Sequence, residues 1–239
     1  MNAAIDIGNT RCKIGFFEND SLIKLKTDIA IDAIVATLKS EQVSDIILSS
    51  VGKDVSNLEK ELLESYKVVI LTHLVSLPIV LDYVSKDTLG TDRIAAAAGA
   101  FHLYSGKNCL VIDVGSCITY DIITSDGYYK GGAISPGVEM KLKSMHTFTA
   151  RLPLLEHPEW VDLPGKDTKT SMINGVLHGT LAEIEGMIER FSGLLPDLQV
   201  IMCGGGSNFF ESNIKHHIFV RSELVLIGLN SILRHNERN

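Results

Sequence analysis

The 239-residue sequence predicts an α/β chain built from two similar halves. Three observations predict it. The chain opens on an apolar strand, a turn carrying Asp and Gly, and a second apolar strand. The same pattern returns about 107 residues later, where Val111-Ile112-Asp113-Val114-Gly115-Ser116 repeats the order of Ala4-Ile5-Asp6-Ile7-Gly8-Asn9. A later apolar run, Val200-Ile201-Met202-Cys203, ends in Gly204-Gly205-Gly206. One Asp–x–Gly turn is commonplace, because both residues favour turns. Two, each leaving a strand that reads as buried and each heading one half of the chain, indicate a duplication.

The elements follow in order. Residues 3–5 and 12–17 form a hairpin around a polar turn. A helix is expected near 31–39, a strand at 45–49, a helix at 56–65 and a β-branched strand at 67–71. Residues 85–91 are polar and turn-prone, and the Ala-rich stretch 92–104 reads as a buried helix. The second hairpin spans 109–112 and 118–123, with a further turn at 125–127 and a strand at 128–134. Helices are expected around 137–148 and 171–194, a strand at 199–203 and a final helix at 224–234. No low-complexity linker separates the halves. The expected boundary near 105–108 gives an N-terminal half, 1–107, and a C-terminal half, 108–239.

Composition narrows the function class. Hydrophobic residues make up 45% and charged residues 21%, an ordinary balance for a packed core. Net charge is −7, from 22 basic and 29 acidic side chains, and no dense Lys/Arg run offers a footprint for nucleic acid. An acidic protein that binds an anionic nucleotide must draw on local backbone N–H groups, helix N-termini and cations. No apolar stretch reaches the ~20 residues of a membrane span. Asp6 interrupts any leader-like start. Cys12, Cys109, Cys117 and Cys203 form no C-x-x-C pair and read as buried free thiols of a cytoplasmic protein.

The turns suit phosphate. Gly8 and Gly115 admit a close backbone approach, and Asn9, Thr10 and Ser116 add short hydrogen-bonding side chains. A carboxylate at each strand end is placed to hold a cation against phosphate oxygens. Two such hairpins with an ATP cleft between two similar domains, followed by a strand and Gly turn for the adenosine, resemble the actin, hexokinase and Hsp70 ATPase class. That is a duplicated actin-like, ribonuclease H-like fold.

Within that class, nearly the whole chain resembles type III pantothenate kinase. Asp6-Ile7-Gly8-Asn9-Thr10 with Lys13 resembles the family's first phosphate motif, and Asp113-Val114-Gly115-Ser116 the second. Gly90-Thr91-Asp92-Arg93 resembles its pantothenate motif, with Tyr83 seven residues upstream. Gly131-Gly132-Ala133-Ile134-Ser135-Pro136-Gly137 and Thr149-Ala150-Arg151-Leu152-Pro153 match further segments. Thr168 stands where the family has a substrate-contacting threonine. The resemblance implies transfer of phosphate from ATP to the primary hydroxyl of pantothenate, the first step of coenzyme A synthesis. It implies Mg²⁺, a monovalent cation (K⁺ or NH₄⁺), and a homodimer with dimerisation helices in the C-terminal half and the substrate site near the subunit interface.

On this resemblance the ATP contacts are Asp6, Ile7, Gly8, Asn9, Thr10, Arg11, Cys12, Lys13 and Ser116. Lys13 also reads as an exposed strand lysine. Asp6 is the candidate for Mg²⁺, directly or through water, and Asp113 for the monovalent cation. Tyr83, Gly90, Thr91, Asp92, Arg93 and Thr168 form the pantothenate set. Phosphoryl transfer needs positioning, charge neutralisation and a group that accepts the alcohol proton. Asp92 is the candidate base, and also fits a helix N-cap. Arg93 is a cation fit for a carboxylate. Asp121 and Asp126, following the second hairpin, read as turn or edge residues. Two departures stand out: Ser116 replaces a usual Thr, and Cys203-Gly204-Gly205-Gly206 lacks the Asp of the family's Thr-Gly-Gly-Asp. The residues alone leave open a kinase for another small alcohol and a nucleotide-binding regulator on the same scaffold. Gly90–Arg93 with Tyr83 argues against the first, and the presence of Asp6, Asp92 and Asp113 against the second.

Overall fold

A computed structural model describes residues 1–9, 12–52 and 54–237. Thr10 and Arg11 of the first turn lie outside the described residues. In chain order the elements are β1 (Asn2–Ile7), β2 (Cys12–Glu18), β3 (Ser21–Thr27), α1 (Ile34–Lys39), β4 (Asp45–Ser50), α2 (Ser56–Ser65), β5 (Lys67–Ile70), β6 (Val80–Leu81), α3 (Thr91–Leu103), β7 (Cys109–Val114), β8 (Cys117–Ile123), β9 (Tyr128–Pro136), α4 (Val138–Thr147), α5 (Thr168–Ser192), β10 (Gln199–Cys203), α6 (Ser207–Glu211), β11 (Phe219–Val220) and α7 (Leu224–Glu237). Short 3₁₀ turns precede α1 and occupy Lys86–Thr88.

The duplication is visible in the sheets. The first runs β3-β2-β1-β4-β5 and the second β9-β8-β7-β10-β11, with β6 added beyond β9. Each counterpart strand holds the same place, and each sheet is headed by an Asp–Gly hairpin. β1 pairs antiparallel with β2 and parallel with β4, so the sheet is mixed.

Contacts group the chain otherwise than a single cut at 107/108 would. One unit comprises Met1–Cys109, Asp121–Gly131 and Glu223–Asn239, and the other Leu110–Tyr120 and Gly132–Ser222. The C-terminal helix α7 therefore belongs with the first sheet, where it packs on β1, β2, β4 and α3.

In that first unit, alternation sorts the side chains of β1. Ala3, Ile5 and Ile7 join a core with Cys12, Ile14, Phe16 and residues of α1 and α2, including Ile34, Leu38, Leu58 and Leu62. Ala4 and Asp6 point to the opposite face, as period 2 requires. Small residues let a helix come close there. Ala4 pairs with Gly15, and a Cβ added to Gly15 would lie 3.3 Å from Leu226 of α7. α7 and α3 meet at glycines: a Cβ on Gly228 would overlap the Ala95 carbonyl and lie 2.8 Å from the Gly99 nitrogen. The Ala-rich run 95–98 is thus a close-packing surface as well as a strong helix former.

The second unit has its own core from β7, β10 and α5. Leu110, Val111, Ile112, Ile201, Met202, Leu177 and Ile184 are all buried. α5 begins with a capping box in which Asp167 accepts from the Thr170 N–H at 2.8 Å. Cys12, Cys109 and Cys203 are buried free thiols as expected, whereas Cys117 is partly exposed. No helix among the described residues is long and apolar enough to cross a membrane.

Candidate active site

The first hairpin places its polar groups by register. Asp6 lies opposite Lys13 on β2 and opposite Ser49 on β4. Directly opposed residues share a face, so Lys13, Asp6 and Ser49 form a row across the C-terminal end of β1. Lys13 is partly buried, not the exposed lysine of the alternative reading. Ser49 is fully buried, and its hydroxyl lies 2.9 Å from the hydroxyl of Thr91. That contact ties the hairpin row to the first turn of α3. Beyond the row, Gly8 is partly buried and Asn9 exposed. Gly52, at φ +73, lies under Asn9, where a Cβ would come 2.6 Å from the carboxamide oxygen. A residue with a side chain would be strained there and would displace Asn9. Ile7 and Cys12 are buried in the core, so any approach to a phosphate falls to their backbone atoms.

The Gly90–Arg93 motif builds the N-terminus of α3. Gly90, not Asp92, occupies the N-cap position, and no side chain caps the helix. Asp92 is the second helical residue, and its Oδ1 accepts from the Arg93 backbone N–H at 2.8 Å. A Cβ on Gly90 would overlap that same Oδ1, so glycine at this position frees the rotamer that Asp92 adopts. Burial raises the Asp92 pKa above its ordinary value. The Arg93 N–H opposes the rise, and the negative charge of Asp121 adds to it. The carboxylate is therefore a stronger base than a free Asp.

Arg93 differs from the expectation of a guanidinium open to a carboxylate ligand. It is buried, and Nε and Nη2 both donate to Asp121, at 3.0 and 2.6 Å to Oδ1. Burial alone would lower its pKa; the bonds to Asp121 more than reverse this, and it stays charged. Asp121 is 1% exposed and sits within β8, so its reading as a turn or edge residue is corrected. The local signal was its place in the run Tyr120-Asp121-Ile122-Ile123, with no turn residue before Ser125. A carboxylate inside a buried strand requires a cation partner. Tyr83 hydrogen-bonds to Arg93 and packs its ring against Tyr129, at 5.9 Å between centroids. Tyr83, Gly90, Thr91, Asp92 and Arg93 are thereby brought together in one unit.

The remaining candidates belong to the other unit. Asp113, near the end of β7, is partly buried, and Gly115 and Ser116 are exposed in the second turn. The glycine triplet is folded against this strand end rather than swinging free. Gly204 adopts φ +86, where a Cβ would overlap the Asp113 carboxylate and lie 2.6 Å from the Val114 carbonyl. The Gly206 N–H donates to that carbonyl at 2.9 Å. Strand, glycine turn and helix α6 follow in the expected order despite the missing Asp. Thr168 is exposed at the first position of α5.

Two clusters in this unit were not legible beforehand. Glu183 of α5 accepts from Tyr120 at 2.9 Å, from Lys141 at 2.7 Å, and from Ser135. Trp160 stacks on Phe209 at 5.5 Å and meets Phe210 edge-on. Helical spacing hints at Lys141 and Glu183 as polar positions on amphipathic helices, but their pairing depends on tertiary packing.

Comparison with known proteins gives the family and the fold. The family model described as type III pantothenate kinase matches residues 3–190. The type III pantothenate kinase of Christiangramia forsetii is 42% identical over 241 residues, covering 99% of each chain. Among solved structures, a Baf-family protein from Campylobacter jejuni superposes with a TM-score of 0.65 at 22% identity, covering 99% of this chain and 100% of that one. An inorganic polyphosphate/ATP-glucomannokinase from Arthrobacter sp. strain KM does so with a TM-score of 0.52 at 15% identity, covering 98% of each. The latter identities bear on the fold alone, which is consistent with a duplicated actin-like α/β fold. With a family model spanning more than half the chain and full-length relatives above 30% identity, the protein belongs to the type III pantothenate kinase family, ATP-dependent kinases that phosphorylate pantothenate in coenzyme A biosynthesis.

Proposed function

We propose that this chain transfers the γ-phosphoryl group of ATP directly to the primary hydroxyl of pantothenate, with Asp92 as general base. The observation that carries the reading is the Asp92 carboxylate. It is fixed at the start of α3 by the Arg93 N–H and has a pKa raised by burial. The hydroxyl oxygen attacks the γ-phosphorus, the bond from that phosphorus to the β,γ-bridging oxygen breaks, and ADP leaves. The hydroxyl proton passes to Asp92. The raised pKa brings the base nearer to neutral pH, where general-base catalysis is most effective. Tyr83, Gly90 and Thr91 serve the pantothenate side with Asp92, and Thr168 has a substrate role on the family resemblance alone. Arg93 contributes chiefly by fixing its neighbours, since Asp121 engages Nε and Nη2. In the first unit Asn9 and Lys13, with the backbone of Gly8, are suited to phosphate oxygens; Gly115 and Ser116 of the other unit have this role on the family resemblance alone. Thr10 and Arg11 share this role on the family resemblance alone.

The donor chemistry fits the implied cations. Mg²⁺ is held in kinases by one or two carboxylates, waters and substrate phosphates, which suits Asp6 at its strand end. A monovalent cation suits Asp113, whose carboxylate lies in a recess that a Cβ on Gly204 would fill. When bound, these cations would neutralise charge on the phosphates. Turnover is expected to vanish with EDTA and to require K⁺ or NH₄⁺. Full activity in Na⁺ alone would exclude the K⁺ or NH₄⁺ requirement, and full activity with tetramethylammonium as the sole monovalent cation would exclude the site.

The exposed apolar residues Ile134, Met140 and Phe148, the last 86% exposed, lie on β9, on α4 and just after it. A second copy of the chain is the proposed cover, giving a cytoplasmic homodimer. Sedimentation equilibrium should give about twice the 26.1 kDa chain mass; a monomer at working concentration would contradict this.

A further inference from the structure

The carboxylate assigned as base stands at the end of a longer polar chain within one compact unit. The Tyr129 hydroxyl donates to Asp121 Oδ1 at 2.7 Å. Asp121 receives the Arg93 guanidinium through Nε, at 3.0 Å to Oδ1 and 3.2 Å to Oδ2, and through Nη2, at 2.6 Å to Oδ1. The backbone N–H of the same Arg93 donates to Asp92 at 2.8 Å. Arg93 also bonds to Tyr83, whose ring lies against Tyr129 and over Gly131. Gly131 adopts φ +82, and a Cβ there would come 3.2 Å from the Tyr83 ring.

A charged pair this deeply buried is poor evidence of stability, because desolvation offsets most of its attraction. It does fix geometry: a guanidinium gripped through two nitrogens has little freedom. Here the residue so gripped supplies the N–H that orients Asp92.

We infer that Asp121 and Tyr129 are positioning residues for the kinase reaction, holding Arg93 so that its backbone N–H aims the Asp92 carboxylate and its side chain steadies Tyr83. Neither touches substrate in this account. The negative charge of Asp121 also acts in the direction of a more basic Asp92, after the larger effect of burial. The pair divides labour on one side chain: Asp121 supplies the charge, and Tyr129 adds a further hydrogen bond to the same Oδ1 that Arg93 engages, holding the carboxylate in place.

Steady-state kinetics on the full chain test this. Tyr129→Phe removes one hydrogen bond and keeps every charge. It is expected to lower kcat/KM for pantothenate about 10-fold, with the KM for ATP within about 2-fold of wild type. Asp121→Asn is expected to lower it about 100-fold or more with the same indifference to ATP. In an Arg93→Met background, Tyr129→Phe should cause no further loss, because its effect runs through Arg93. A folded Tyr129→Phe with wild-type pantothenate kinetics would overturn the inference. So would losses that multiply independently of Arg93, or that appear equally in the KM for ATP. If Asp121→Asn does not fold, Tyr129→Phe and its cycle with Arg93 decide alone.

The inference rests on Asp92 as the base, and Asp92→Asn assayed alongside separates the failures. An active Asp92→Asn removes the base and the inference built on it. An inactive Asp92→Asn beside wild-type-like Tyr129→Phe and Asp121→Asn removes the positioning role alone.

Discussion

Asp92→Asn is expected to lower kcat by roughly 10²- to 10⁴-fold, the usual contribution of a positioned general base, without lowering the melting temperature. Asn keeps the size of the side chain and an oxygen to accept from the Arg93 N–H, so the first turn of α3 should be undisturbed. The thermal half follows from the direction of the pKa shift. Burial raises the folded-state pKa of Asp92 above its unfolded value. A carboxyl of this kind stabilises the fold when protonated. Its contribution is complete below the unfolded pKa and is lost as pH rises through the folded one. At neutral pH the ionised Asp92 therefore works against the fold, and a side chain that cannot ionise relieves it. The acid limb of the wild-type pH–rate profile should likewise lie above that of an ordinary Asp. Assays of turnover and calorimetry on one preparation check both parts. A variant that loses activity only because it unfolds would refute the assignment of Asp92 as a base maintained at a cost in stability.

Gly228→Ala is expected to be the most damaging single methyl in the chain. In an exposed helix this change stabilises by up to about 1 kcal/mol. Here the new Cβ would overlap the Ala95 carbonyl and lie 2.8 Å from the Gly99 nitrogen, both backbone atoms of α3. α7 has no room to retreat, because Leu226, Leu229 and Leu233 are buried. Forced overpacking costs about 1–3 kcal/mol and sometimes more. In a chain of this size about 3 kcal/mol corresponds to a fall in melting temperature of roughly 6–12 °C. Since α3 carries Gly90–Arg93 at its N-terminus, the residual folded protein should also bind pantothenate less well than ATP. Thermal unfolding checks the first expectation, and the two KM values check the second. A melting temperature equal to wild type would mean that the helices are not in the close contact described.

The sequence reveals the fold chiefly through its repetition. Strands such as Gln199–Cys203 and helices such as Ser56–Ser65 stand where apolar spacing puts them, and the matching strand orders of the two sheets follow from the two Asp–Gly hairpins. β3 is missing from the sequence reading although Ile23 to Thr27 alternate: Ser21–Thr27 is an edge strand whose Ile23 and Leu25 are exposed, so no buried face marks it. The placement of α7 beside α3 was equally hidden. Gly99 and Gly228 lie 129 positions apart, and neither looks unusual in its own helix.

The site divides in the same way. Asp6, Asp92 and Asp113 stand out locally, because each lies near a strand end or at a helix start, two residues from a glycine. Asp121 does not. It lies within a strand, and the guanidinium that explains it is 28 residues away. Arg93 is legible only in part for the same reason: its place beside Asp92 is read from the sequence, and its buried partner Asp121 is not. Tertiary partners decide what a charged side chain is available to do, and spacing along the chain does not encode them.

The most direct test of the account is the product formed from pantothenate and ATP in Mg²⁺ and K⁺, followed by ³¹P NMR with coupled ADP release. The wild-type chain should release one ADP per pantothenate consumed and yield a phosphate monoester at the primary hydroxyl, with Asp92→Asn leaving both substrates largely unchanged. ADP release that is indifferent to pantothenate, or no phosphorylated product at all, would contradict it.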